Sequence, residues 1–173
     1  MRHLLALDWD THEVRLAIAQ RRSGRLVLDP AVTIPRTSSA GAATQTSAQL
    51  ATSVADTLAG LGVSHPRTLV AVGRANVELK FMSLPPAPPQ DLPEMARFQA
   101  QKDFNALTED WAFDFLPLKG SSEEAHELLA AAIAPEVMTQ MLDVCRSAGL
   151  KPRHAGLRPC AAASLLLRDP NAE

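Results

Sequence analysis

Leu84-Pro85-Pro86-Ala87-Pro88-Pro89, followed by Gln90-Asp91-Leu92-Pro93-Glu94-Met95-Ala96, is the stretch on which the reading of this chain turns. Each pyrrolidine ring fixes φ and steers the residue before it out of the helical region, so residues 85–89 are extended. Asp91 then stands where a helix N-cap belongs, with Pro93 and Glu94 in the first turn, and the helix is predicted to run to about Phe104. Leu92, Met95, Ala96 and Ala100 fall on one face of it, with Glu94, Arg97 and Gln101 opposite. The proline run is at least a rigid connector.

On the N-terminal side, Val77 to Leu84 alternates in polarity as a strand does, and Thr68 to Gly73 reads as a buried strand. Before them Leu50, Val54, Leu58 and Leu61 recur at helical spacing, and Gly60 and Gly62 end that helix. Residues 36–47 are rich in Ser, Thr, Ala and Gly and read as a connector. Leu4 to Asp8, Val14 to Ala19 and the run beginning Leu26-Val27-Leu28, turned at Arg21–Arg25, read together as a two-stranded hairpin that Thr33-Ile34-Pro35 extends. On the C-terminal side Trp111–Leu118 and Glu127–Ile133 are predicted strands joined by a turn over 119–125. Pro135 opens a helix with the apolar stripe Val137, Met141, Val144, Cys145 and Ala148, capped by Gly149. Lys151–Ala155 is a predicted strand, and Pro159 opens a last helix before the polar tail from Arg168. The order is β-β-α-β-β-α-β-β-α-β-α, an α/β or α+β domain with a mixed sheet.

Composition narrows the function classes. Apolar residues make up 46% of the 173 positions, enough for a core, and 21% are charged; such a balance excludes wholesale disorder. A formal net charge of -2, aromatics at 4% and no tyrosine point away from duplex binding and base stacking, so no nucleic-acid partner is expected. The longest apolar run, Leu128 to Ala134, spans seven residues, against about 20 for a membrane-crossing helix. The N-terminus meets Asp8 too early for a signal peptide. A soluble cytoplasmic chain, reaching a membrane only through a partner, is expected.

Cys145 and Cys160 have no zinc or CxxC spacing and read as two reduced, half-buried small hydrophobes. His3, His12, His65, His126 and His154 show no metal-ligand spacing; His12 beside Asp8 and Asp10 is the nearest thing to a site, and no metal site is assigned. Ser38 or Ser164 lacks the GxSxG elbow of a serine nucleophile, and the glycines form neither GxGxxG nor GxxxxGK. No catalytic residue is assigned. Gln101-Lys102-Asp103 reads as a solvated helix end.

Three motifs in order carry a family resemblance. Leu5-Ala6-Leu7-Asp8-Trp9-Asp10-Thr11 with Val14-Arg15-Leu16-Ala17 is similar to the opening strand and turn of the PilM family, relatives of FtsA and actin. Leu84-Pro85-Pro86-Ala87-Pro88, then Phe98-Gln99-Ala100-Gln101-Lys102, then Asp114-Phe115, resembles that family's Leu-Pro-x-x-Pro stretch, acidic helix and Asp-aromatic strand. Leu128-Leu129-Ala130-Ala131-Ala132, leading to Ala148-Gly149-Leu150-Lys151-Pro152, resembles the segment that closes its small inserted subdomain. An unrelated α/β domain with a proline-rich turn is the alternative.

The resemblance implies an actin-like (ribonuclease H-like) α/β lobe with a mixed sheet and a small inserted α/β subdomain. The divisions would be 1–84 for the first part of the lobe, 85–150 for the insert, and 151–173 for the returning strand and helix. It implies a scaffold in type IV pilus or type II secretion machinery, cytoplasmic and peripheral to the inner membrane, that binds the cytoplasmic peptide of an inner-membrane assembly protein. Val77, Leu79, Phe81, Leu84 and Pro85 are then the partner-binding candidates, since an extended strand with apolar side chains suits peptide capture.

Two departures bear on the rival reading, the front half of an actin-like ATPase or switch using ATP and Mg²⁺ with Asp8 near the metal and Thr11 near phosphate. Where the family's phosphate turn has Gly, this chain has Asp10, whose side chain and charge oppose an anion, although beside Asp8 it suits a hard cation. The sequence also ends at Glu173, about where the resemblance would have the first lobe finish, so it is expected to be either a fragment of a longer protein or a half-protein without the second phosphate loop. No cofactor is expected for this chain alone, and no ATP hydrolysis.

Overall fold

The structure is a computed structural model that describes residues 3–36, 45–105, 107–118 and 125–166. Most of the expected 36–47 connector, the turn near 119–124, Ser38 and the tail from residue 167 lie outside the described residues. Twelve elements run in the order β1 (His3–Trp9), β2 (Glu13–Arg22), β3 (Arg25–Pro35), α1 (Ser47–Gly60), β4 (Arg67–Val72), β5 (Glu78–Leu84), α2 (Leu92–Asp103), β6 (Ala112–Pro117), β7 (His126–Ile133), α3 (Pro135–Ser147), β8 (Pro152–Leu157) and α4 (Arg158–Leu166), with one 3₁₀ turn at Arg74–Asn76. Three strands precede α1, not the two read from sequence. Leu4–Asp8 belongs to a strand of its own because the chain reverses at once, with Asp10 N donating to Glu13 O at 3.1 Å.

The chain divides into two compact units, Met1–Ala75 with Thr139–Glu173, and Asn76–Met138. The divisions thus fall at 75/76 and 138/139, where the sequence reading put 84/85 and 150/151. Strand β5 goes with the second unit because its whole length, from Glu78 to Leu84, pairs with β7.

In the first unit the sheet order is β3-β2-β1-β4-β8. β1 lies antiparallel to β2 and parallel to β4, and β8 is parallel to β4. Register aligns Leu5, Leu7 and Trp9 with Ile18, Leu16 and Val14 on one side and with Thr68, Val70 and Val72 on the other. All nine are buried, because period-two alternation sends them to one face. The stripes Leu50, Val54 and Leu58 of α1 and Met141, Val144 and Cys145 of α3 are buried as well. Each large apolar side chain so buried contributes about 1.5–3 kcal/mol.

Both helices end in the same way. After α1, Gly62 N donates to Ala59 O and Val63 N to Leu58 O; after α3, Gly149 N donates to Arg146 O and Leu150 N to Cys145 O. The left-handed φ of +68° at Gly62 and +74° at Gly149 is what this double bond pattern demands of the residue after the cap. Leu61, read as part of the α1 stripe, is instead the C-cap and is part-exposed.

In the second unit β5, β7 and β6 form an antiparallel sheet in that order. α2 buries Leu92, Ala96, Ala100 and its C-cap Phe104 with Met82, Leu84, Leu128, Ala130 and Ala132. The alanines on both sides let helix and sheet approach closely. Asp91 does not cap α2 through its side chain: its backbone is helical, at φ -90° and ψ -18°. A side-chain cap needs an extended backbone, and Pro93, two residues on, has no N–H to donate to the Asp91 carboxylate.

Candidate functional site

The first unit places the sequence-predicted trio at the end of β1. Trp9, wholly buried, anchors the strand, and the chain turns through Asp10, Thr11 and His12 into β2. Thr11 N donates to Asp10 Oδ1 at 2.7 Å. The Arg36 guanidinium lies 4.3 Å from the centre of the Trp9 ring, donates to the Asp10 carbonyl and to Gln140 Oε1, and has its pKa lowered by burial, with Asp10 opposing.

Sequence reasoning missed the residue that decides this site. Arg158, first in α4, donates from Nη1 to Asp8 Oδ2 at 3.0 Å and to Asp10 Oδ2 at 2.7 Å. Arg15 Nη1 also reaches Asp8 Oδ2 at 3.0 Å and ion-pairs with Glu13 through its other nitrogen. Gly73, just past β4, holds its N–H 2.9 Å from Trp9 O. A Cβ there would come 2.9 Å from Arg158 Nη2 and 3.2 Å from Asp10 Oδ2, so a side chain at 73 would push the guanidinium aside. The Asp10 carboxyl sits below its usual range, first because the Thr11 amide donates to it and then because Arg158 does. Arg158 is raised by the same two carboxylates, Asp10 foremost.

This donor set does not fit Mg²⁺ or a nucleotide phosphate as it stands. Oδ2 of both aspartates accepts from Arg158, and Asp10 Oδ1 accepts from Thr11 N; only Asp8 Oδ1 is left buried without a hydrogen-bond partner. Two guanidinium groups, Arg158 on both aspartates and Arg15 on Asp8, already compensate the pair, whereas Mg²⁺ needs their oxygens free. An anion approaching the turn would meet the Asp10 carboxylate. We therefore derive no nucleotide chemistry through Asp8, Asp10 or Thr11.

The second unit carries the other candidates, and they separate by face. Val77 and Leu84 are buried, Leu79 is half-buried, and Pro85 is exposed. Phe81 is 76% exposed. Across the sheet its register partner is Leu129, whose own partner on β6 is Leu116, itself 56% exposed. One apolar row, Phe81–Leu129–Leu116, thus crosses the face that does not carry the α2 core. Leu116 was not singled out from sequence and Leu129 only within the Leu128–Ala132 motif; register alone sets both in line with Phe81.

No family model matches the chain, and no curated protein matches it. Solved structures do. A chain of the PilM-PilN type IV pilus biogenesis complex superposes with a TM-score of 0.75 at 20% identity, covering 97% of this chain and 52% of that one. The fold is that of this chain of the pilus complex. The PilM-like fold extends to the cytoplasmic domain of EpsL, an inner membrane component of the type II secretion system of Vibrio cholerae, with a TM-score of 0.62, 11% identity, and coverage of 89% and 57%. The chain spans little more than half the length of these two solved chains. The α/β class, mixed sheet and second smaller α/β unit expected from the resemblance are present. Among the described residues no helix is long and apolar enough to cross a membrane.

Proposed function

We propose that this chain is a PilM-like scaffold, cytoplasmic and peripheral to the inner membrane, that binds the cytoplasmic peptide of an inner-membrane assembly protein in a pilus or type II secretion system. The observation that carries the reading is the apolar row Phe81–Leu129–Leu116 on an open sheet face, beside β5, an edge strand paired only with β7 among the described residues. An extended peptide adding to such an edge gains main-chain hydrogen bonds, and large apolar side chains in the row supply selectivity. Support for the partner class comes from the pilus complex whose chain shares this fold.

The test is calorimetry with synthetic cytoplasmic peptides of the membrane assembly proteins encoded beside this gene. One peptide should bind, and Phe81→Ser should weaken it about tenfold or more, the usual loss at a central apolar anchor. Absence of any binding above a scrambled peptide sinks the proposal. The rival nucleotide switch would require Arg158 to leave both aspartates. Mg-ATP binding by the wild type that disappears in Asp8→Ala would favour that rival.

A further inference from the structure

At one edge of the first unit, His65, Pro66, Arg67, Gly149, Lys151 and Arg153 line a cavity of about 390 Å³. His65 to Arg67 lie between α1 and β4, and Gly149 to Arg153 lie between α3 and the start of β8. The register sets these segments side by side, with Thr68 opposite Pro152. This is the edge where β4 and β8 begin, whereas the Asp8–Asp10 turn lies at the edge where β1 and β4 end.

Two features point to a ligand. Arg67, Lys151 and Arg153 bring three full positive charges to one concavity, and no acidic side chain lines it. All three are exposed, and among the described residues none of their side chains has a hydrogen-bond or ion-pair partner, although the chain carries more acids than Lys and Arg. His65, which lines the same concavity, holds φ at +47°, a left-handed conformation that histidine adopts more readily than most side chains.

Helix dipoles are the competing explanation for cations here, since α1 and α3 both end at this edge and a C-terminus attracts positive charge. Their magnitude is too small. Two C-termini supply about one negative charge in total, at roughly half a charge each, against three guanidinium or ammonium groups. Their terminal carbonyls are moreover already engaged by the glycine caps described above.

We propose that this cavity binds a phosphate group. Arginine presents a planar fork matched to phosphate oxygens, and lysine adds a compact charge. A free phosphate anion and the headgroup of an anionic phospholipid share that chemistry. The same sheet edge also carries the hairpin of Arg21, Arg22 and Arg25, which widens the positive field without lining the cavity. The site is independent of the peptide-binding reading, because it uses no residue of the second unit.

The experiment has two arms on one set of proteins: calorimetry with inorganic phosphate and pyrophosphate, and co-sedimentation with vesicles of phosphatidylglycerol in phosphatidylcholine. Binding in the first arm identifies a free anion, and binding only in the second identifies a headgroup; either supports the proposal. The triple variant Arg67→Gln/Lys151→Gln/Arg153→Gln should bind about tenfold or more weakly, as expected when charge-assisted hydrogen bonds are removed. The hairpin variant Arg21→Gln/Arg22→Gln/Arg25→Gln, with the same charge change, should keep most of the binding. Lys151→Gln alone, at a position outside the strands, repeats the test with little risk to folding. No binding in either arm, or equal loss in the hairpin variant, overturns the proposal.

Discussion

Arg158 Nη1 donates to Asp8 Oδ2 at 3.0 Å across 150 positions of sequence, and with the bond to Asp10 it ties the first residue of α4 to the turn after β1. The aspartate side chains are 19% and 21% exposed and the arginine 36%. Solvent therefore screens the cluster in part, and its worth lies near the upper end for exposed pairs. Arg158→Ala should destabilise the chain by about 1 kcal/mol and lower Tm by about 2–4 °C. Adding Asp10→Asn should restore part of that, because the variant alone leaves two like charges side by side. A double-mutant cycle by urea unfolding reads the coupling, and a coupling of zero would show that the cluster contributes nothing to stability.

Acid unfolding offers a second view of the same cluster. Asp10 is lowered from the ordinary 3.8, chiefly by the Thr11 amide and then by Arg158. A carboxyl with a depressed folded pKa adds stability that is fully present above its unfolded value and is lost as pH falls through the folded one. The window therefore lies below about pH 4. Asp10→Asn should be less stable than wild type at pH 6, with the gap closing as pH is lowered through that window. A gap that stays constant to pH 2 would contradict the assignment.

These residues show what the sequence made legible and what it did not. The alternation of Val14 to Ala19, the α1 and α3 stripes, and the glycines at 62 and 149 are local signals, and β2 and both helices are present, whereas the short apolar run Leu4–Asp8 did not show that it forms a strand of its own. The proline run and helix at 85–103 gave α2 its place but not its cap, since the Asp91 conformation depends on the prolines around it. The aspartate turn was visible in sequence, whereas its arginine was not. No periodicity links residue 158 to residue 8; only the β1–β4–β8 pairing brings them together, with Gly73 leaving the space. The cation cavity escaped for the same reason. Its charges come from two separated segments, and a scan for a basic stripe finds neither.

The two cysteines should differ sharply toward alkylating reagents. Cys145 is buried among the α3 core residues, and burial pushes its thiol up to about 11. Cys160, on α4, is exposed. Thiolate is the reactive form, so at pH 8 one equivalent of a chromogenic disulfide should react quickly and the second only on unfolding. Cys160→Ser should abolish the fast phase. A fast phase surviving in that variant would place Cys145 in contact with solvent.

Leu128 and Phe81 lie on opposite faces of one small sheet and should respond oppositely to truncation. Leu128 is fully buried among α2 and sheet residues, while Phe81 is 76% exposed. Removing a buried leucine side chain loses its transfer energy and leaves a cavity, so Leu128→Ala should cost about 2–5 kcal/mol. Phe81→Ser removes little buried area and should stay within about 0.5 kcal/mol of wild type, as surface changes do. Hydrogen exchange across residues 78–84 and 126–133 should rise in the first variant and stay unchanged in the second. If Phe81→Ser instead unfolds the sheet, that ring is part of the core and not available to a partner. Unchanged stability with lost peptide binding would leave recognition as the role of the exposed row, since the same substitution could not then act through the fold.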